Sequence, residues 1–373
     1  MVREMDFVDE CYADKDLSLL KKLTLVIPTY NRNYYLSRCL WYHAHFPFGQ
    51  IIVADSSPEE KKVVNRETVA KVREMFGADI LYLEYEPETE KYGGDIYRKW
   101  GDAVMHVETE YSQICTDKEF VIPTTQCECV NYLDQNLEYG VCSGKYYTVE
   151  KLLNTPFLFS RYNMRSTENH PSAQVRHASN FLDVNNAHLL SLYRSKIHQY
   201  IYSVLLNHPG FDLRFGERYL EYTIYLCSKV YYLDQKPFNI RDLTELYDNG
   251  IAKLSESSTL RYPSYDSYDK SSEEYMSMYE SFRLATLEVI VGLNILDSVS
   301  AANYFEETIS HKILRHKYLQ PQSSLVQSLL VFFGKISPKI VNILWKILIR
   351  SEKHVNMDLK CVLRIIGDES FGC

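Results

Sequence analysis

Asp117-Lys118-Glu119 sets two carboxylates either side of an ammonium, directly after the strand-like run Ser112–Thr116 and before Phe120-Val121-Ile122-Pro123. Carboxylate oxygens are hard ligands that suit Mg²⁺ or Mn²⁺, while Lys118 brings a fixed positive charge into the same turn. A charged turn after an edge strand is the plain alternative. Three groups lie upstream. Val26-Ile27-Pro28-Thr29-Tyr30-Asn31-Arg32 carries an apolar strand into a proline and then small polar and aromatic residues. That is either a simple strand-to-helix turn or a loop at the carboxyl edge of a parallel sheet, where α/β proteins bind ligands. Asp55, after Ile51-Ile52-Val53-Ala54, can accept hydrogen bonds from the N–H or hydroxyl groups of a ligand, or can cap the helix that follows Pro58. Gly93-Gly94 at a helix start lets backbone N–H groups approach an anion, and Arg98 or Lys99 can add charge. A solvated basic helix face is the alternative there.

The elements that must position these groups follow an alternating pattern. Strands are expected at Leu23–Ile27, Ile51–Ala54, Ile80–Glu84 and Ser112–Thr116, and helices near Tyr34–His45, Glu59–Phe76 and Gly94–His106. This is the rhythm of a parallel sheet covered by helices. A helix over 124–137 and a strand near Tyr139–Tyr147 come next. The stretch 148–242 is less regular: a polar loop (Arg165–His177), helices over Asn186–Leu206 and Phe215–Cys227, and a short strand, Val230–Leu233. From about 245 the pattern is helical, interrupted by a Ser/Tyr-rich linker, Ser255–Ser272.

Taken in order, the motifs resemble the family 2 glycosyltransferases of GT-A fold, in particular a bacterial and archaeal subgroup whose first motif is followed by Ala-Asp-Ser-Ser, here Ala54-Asp55-Ser56-Ser57. The resemblance covers roughly residues 20–242. It implies an α/β fold: a Rossmann-like, mixed, mostly parallel sheet flanked by helices, with an added α-helical C-terminal region. The implied division is an N-terminal extension (1–22), a nucleotide-sugar-binding half (23–145), an acceptor half (146–245) and the helical region (246–373). The donor site would use Pro28, Thr29, Tyr30, Asn31 and Arg32 around the base and Asp55 on base or ribose. Gly94 and Arg98 would face the diphosphate, with Thr116, Asp117 and Lys118 beside it. A divalent cation, Mn²⁺ or Mg²⁺, would sit on Asp117 and Glu119. The sequence departs from the family at two of these places. Lys99 stands where Asn is usual, and Asp117-Lys118-Glu119 replaces a run of three Asp. Either the metal persists on Asp117 and Glu119, or Lys118 partly substitutes for it.

The same family carries a Glu-Asp pair at a helix start, then a strand opening Gly-Lys, and its acid deprotonates the acceptor hydroxyl. Here the matching residues are Glu217-Arg218 and Ser228-Lys229. Glu217 is the expected base, Glu221 its substitute one turn on, and Asp117 the third catalytic candidate; Asp183 or Asp212 could also reach the site. Gln235–Arg241 matches a segment expected at acceptor or sheet-edge contacts. The implied reaction moves a hexose from a nucleotide-diphosphate sugar to a saccharide or lipid-linked glycan with inversion, in cell-surface polysaccharide synthesis. A nucleotidyltransferase would show a Gly-rich, Lys/Arg-bearing signature after the first strand, which Pro28–Arg32 lacks. Lys118 and Arg218, each in place of an acid, leave a catalytically degenerate scaffold or membrane partner as the other reading.

Composition narrows the classes further. The net charge of −8 divides unevenly: 311–373 holds ten Lys and Arg against four Asp and Glu, leaving 31 basic and 45 acidic residues before it. An acidic body of −14 excludes broad nucleic-acid binding. The start, Met1–Asp16, resembles neither a signal nor a transit peptide, and no run reaches the ~18 apolar residues of a membrane-spanning helix. Nine cysteines lack framework spacing; Cys127, Cys129 and Cys142 have no second pair to complete a zinc site, so reduced thiols of a cytoplasmic protein are expected. His170, His177 and His188 read as surface or packed histidines before ligands. Two amphipathic pieces, Ser324–Phe333 and Pro338–Arg350, carry Lys339, Asn342, Lys346 and Arg350 as a narrow polar stripe beside Trp345. Residues 324–350 would therefore suit an anionic membrane surface on the cytoplasmic face, or a contact with another protomer in a homo-oligomer.

Overall fold

Side-chain alternation along the first strands decides the layering. The computed structural model describes residues 2–87, 96–152, 155–161, 166–181, 188–208, 210, 213–244, 247–248, 251–252, 272–315 and 357–367. A helix, α1 (Val2–Tyr12), leads through a short 3₁₀ turn into β1 (Leu23–Thr29), and α2 (Asn33–His43), β2 (Gln50–Asp55), α3 (Glu59–Phe76), β3 (Ile80–Glu84), α4 (Ile96–Met105) and β4 (Tyr111–Ile114) follow. Leu23, Leu25 and Ile27 of β1 and Ile51 and Val53 of β2 enter one core, whereas Val26, Ile52 and Ala54 enter the other. That period of two buries both faces of the sheet. β1 to β4 are parallel, in the order β3-β2-β1-β4. The long helix α3 begins after Pro58 with Glu59 and Glu60 in its first turn and ends at Gly77, whose φ of 64° is the left-handed cap that glycine takes most easily.

The second half is mixed. It contains β5 (Glu119–Val121), α5 (Pro123–Gln135), β6 (Tyr139–Leu152), β7 (Thr155–Arg161), α6 (Ala173–Asn180), β8 (Leu192–Arg194), α7 (Ser195–Asn207), α8 (Leu213–Tyr222), α9 (Ile224–Cys227), β9 (Lys229–Asp242), β10 (Tyr247–Asp248) and β11 (Ile251–Ala252). β8 runs antiparallel between β4 and β6, and β9 is parallel to β6 but antiparallel to β5. The described chain is completed by α10 (Glu273–Gly292), α11 (Ser298–Tyr304), a π-helical segment (Phe305–Ser310), α12 (His311–Arg315) and α13 (Met357–Gly367). One core lies among α1, α2, α3, α5 and α13, the other among α4 and α7 to α12. Arg364 of α13 stacks over Phe7 of α1, 4.3 Å from the ring centre, so these two helices share one layer.

The expected α/β architecture with helices on both faces is present. Several elements differ from the sequence reading. Strand β1 continues through Pro28, which pairs with Ala54, to Thr29 opposite Asp55. The expected helix over 186–206 gives up Leu192–Arg194 to β8 before α7 starts. Tyr139–Tyr147 lengthens into a β6–β7 hairpin, Val230–Leu233 into the fourteen-residue β9, and the 215–227 helix breaks at Thr223. Within the expected polar loop, Ser172 starts α6 by accepting the Val175 N–H at 3.4 Å. Two-residue strands, β10 and β11, fall inside the region expected to be helical. The linker from 255 to 271, the segment 324–350, Gly94, Asp183 and Asp212 lie outside the described residues. Among the described residues, no helix is long and apolar enough to cross a membrane.

Candidate active site

Because β1 and β4 are neighbours, their carboxyl ends bring two separate sequence motifs into contact. Asp117, in the turn after β4, is buried; one carboxylate oxygen accepts the Thr29 hydroxyl at 2.8 Å and the other faces an Arg32 guanidinium nitrogen at 3.3 Å. Lys118 is also buried and lays its ammonium 4.2 Å from the Tyr35 ring centre on α2. Its backbone carbonyl accepts the Asp242 N–H at 2.8 Å, which pins the turn to the end of β9. Asp242 in turn forms a buried ion pair with Arg38 of α2.

Glu119 starts β5 rather than extending the turn. One oxygen accepts the Thr116 N–H at 2.9 Å; the other lies 3.9 Å from Nε of Arg241, its register partner on β9. Burial pushes the Glu119 carboxyl up, against the opposing pull of Arg241, the Thr116 N–H and Asn239. Glu217 on α8 is raised for the same reason, burial, and is pulled back by the same Arg241 and by Arg218. Arg241 therefore joins the β4–β5 turn to α8 electrostatically. What lets α8 approach is Gly216: a Cβ there would stand 2.3 Å from Cδ2 of Tyr97 on α4. Glu221, one turn along α8, is half-buried.

The β1–α2 loop is held from two sides. Asn31 adopts φ 54° and gives its N–H to the Ser57 hydroxyl at 2.8 Å; asparagine tolerates this left-handed geometry better than most residues. Lys99, buried on α4, donates to the Thr29 carbonyl at 3.2 Å and to Ser56 Oγ at 2.7 Å. Asp55 is fully buried, and its carboxylate takes the Ser57 N–H at 2.7 Å, Asn65 Nδ2 at 2.7 Å and the Tyr82 hydroxyl at 2.5 Å. It fastens the turn after β2 from inside. Tyr30, Asn31 and Arg32 retain exposure at the sheet edge, while Pro28 and Thr29 form its floor. Arg98 is exposed on α4.

The histidines are packing groups. His177 is buried and held near a pKa of about 3 by burial and by Lys312, with Nδ1 2.9 Å from the Tyr304 hydroxyl. His188 is buried with Nδ1 3.0 Å from Ser191 Oγ, and His170, exposed, accepts the Ser172 N–H at 3.1 Å. Beneath the 116–119 turn, Cys39, His43 and Cys115 bring one ligand atom each within 4.8 Å of one another. His43 Nδ1 lies 2.8 Å from the Cys39 carbonyl and Nε2 accepts the Val121 N–H at 3.2 Å, so both ring nitrogens serve the backbone. Nothing local to Lys99 marks it as a tie between loops, and nothing local to Arg241 marks it as a link between acids. Arg38 and Asp242 are 204 positions apart, and nothing local marks them as partners.

No protein-family model matches the sequence, and no curated protein matches it. Solved structures of S. aureus TarS are similar to the chain. TarS 1–349 in complex with UDP aligns with a TM-score of 0.48 at 13% identity, over 90% of this chain and 88% of that one. TarS 1–349 in complex with UDP-GlcNAc aligns with a TM-score of 0.47 at 12% identity, over 79% of this chain and 73% of that one. At such identities no residue of this chain takes a role from either structure.

Proposed function

We propose that the chain is a GT-A glycosyltransferase that moves a sugar from a nucleotide-diphosphate donor onto a saccharide or lipid-linked acceptor, with inversion. The observation that carries this reading is the convergence of the β1–α2 loop and the β4–β5 turn on Asp117, with Arg241, beside Glu119, also acting on the charge of Glu217. A nucleotide would rest on Tyr30, Asn31 and Arg32, its diphosphate running toward the 117–119 turn. Thr29, Lys99 and Ser57 hold that loop in place before ligand arrives, a preorganisation that lowers the cost of binding.

In the transfer, the acceptor hydroxyl attacks the anomeric carbon, the bond from that carbon to the phosphate oxygen breaks, and the nucleoside diphosphate leaves with the electron pair. The hydroxyl proton passes to Glu217. Burial makes this carboxylate a stronger base than an exposed one, which suits proton abstraction near neutral pH. Fixed positive groups around Asp117 and Glu119 stabilise the charge that builds on the departing diphosphate. The segment 324–350 would hold the enzyme at a membrane surface carrying the acceptor lipid. A panel of nucleotide sugars assayed for transfer and donor hydrolysis tests the reading; no turnover of any donor, with no thermal stabilisation by any of them, would reject it.

A further inference from the structure

The carboxylates that would carry a divalent cation already face protein donors and cations. Both oxygens of Asp117 are engaged, by Thr29 Oγ1 and by Arg32. Of the two Glu119 oxygens, one takes the Thr116 N–H; the other, buried and without a hydrogen-bond donor in range among the described groups, lies 3.9 Å from Arg241 Nε. Between them Lys118 adds a buried ammonium on the face of Tyr35. A dication placed between Asp117 and Glu119 would compete with the two guanidinium groups already beside them, Arg32 and Arg241, and Coulomb repulsion in a partly desolvated site opposes it. The donor set does not fit an open hard-oxygen pair.

The cations that crowd this position are themselves suited to an anion. The side chains of Arg32 and Arg241 are 34% and 40% exposed, so each lies beside a carboxylate and still reaches solvent at the rim of the sheet. They arrive from different elements, Arg32 from the loop after β1 and Arg241 from β9, on either side of the 117–119 turn. Among the described groups, the Arg241 Nε–H is buried without a hydrogen-bond acceptor in range, and a buried donor in that state gains from any acceptor that reaches it. Guanidinium groups match phosphate oxygens in a planar, two-pronged geometry that an ammonium does not offer.

Resting on the glycosyltransferase reading, we propose that Arg32 and Arg241 neutralise the donor diphosphate in place of a divalent cation, and that donor binding needs no metal. The acids then act as positioning residues: Asp117 aims Arg32, and Glu119 aims Arg241.

The test is calorimetric titration of the full chain with UDP, GDP, ADP and dTDP, each in EDTA and in MnCl₂. At least one nucleotide is expected to bind in EDTA, with an affinity within about threefold of that in Mn²⁺, well below the tenfold that 1.4 kcal/mol would give. Arg32→Gln and Arg241→Gln should each weaken that nucleotide by about tenfold or more, the scale of a charge-assisted hydrogen bond. The wild-type comparison stands even if a variant fails to fold. Binding only in Mn²⁺, or unchanged affinity in both folded variants, overturns the proposal and leaves the glycosyltransferase reading intact. No binding of any nucleotide in either buffer overturns both.

Discussion

Arg241 sits opposite Glu119 across the β5–β9 pairing, with Nε 3.9 Å from the carboxylate, and its charge also reaches Glu217 on α8. One guanidinium beside the 117–119 turn thus also acts on the charge of the helix bearing the proposed base.

Glu217→Gln should lower kcat by about 10²- to 10⁴-fold, the range for removing a general base, and leave nucleotide affinity unchanged. Because burial raises the Glu217 carboxyl, the acid limb of the wild-type kcat profile should lie above the ordinary glutamate range. Steady-state kinetics between pH 4.5 and 8 check both; an unshifted limb would argue against Glu217 as the base.

The same shift has a consequence for stability. Burial holds the Glu119 and Glu217 carboxyls above the ordinary glutamate value. Over the window from there to their folded values, the unfolded chain has lost protons that the folded chain still holds. Stability contributed by these groups therefore falls as pH rises through the window. Urea unfolding should show that decline in the wild type and a shallower one in Glu217→Gln.

Asp117→Ala removes the acceptor for Thr29 and the anchor for Arg32. Transfer should be lost, while far-UV circular dichroism stays native and the melting temperature falls by only a few degrees, the equivalent of about 1–3 kcal/mol. Full transfer activity in this variant would contradict the site as described.

Arg38→Ala removes the guanidinium packed against the rings of Tyr34, Tyr35 and Phe120 and leaves the buried Asp242 without its ion-pair partner, held only by Thr244 among the described residues. A destabilisation of about 3–5 kcal/mol is expected. The double variant Arg38→Met with Asp242→Leu should recover part of it, since removing both charges removes the orphan; chemical denaturation of the set measures this.

Gly216→Ala drives a methyl into the Tyr97 ring. Overpacking of this kind costs about 1–3 kcal/mol, and Tyr97→Leu on the same background should relieve it, a coupling read from a double-mutant cycle.

The parallel half of the sheet was legible because each strand is a short apolar run followed by a helical period, as in Ile51–Asp55 and Glu59–Phe76. The second half was less so. β8 has three residues and owes its place to β4 and β6, not to its own pattern, and Leu192 within an apolar stretch fits a helix equally well. At the site, Asp117 and Glu217 could be picked out by their motif positions. Their neighbours could not: that Arg241 meets Glu119 depends on strand register, and that Asp55 is enclosed by Asn65 and Tyr82 depends on side-chain packing across α3 and β3.

Helix α4 presents Tyr97 to Gly216 and Lys99 to Thr29 and Ser56. Two residues apart on an α-helix means about 200° around its axis, so these side chains leave opposite sides of one rod. The rod is wedged like a crankshaft between the loop proposed to grip the nucleotide and the helix proposed to deprotonate the acceptor. A slide or roll of α4 would therefore displace both contacts at once.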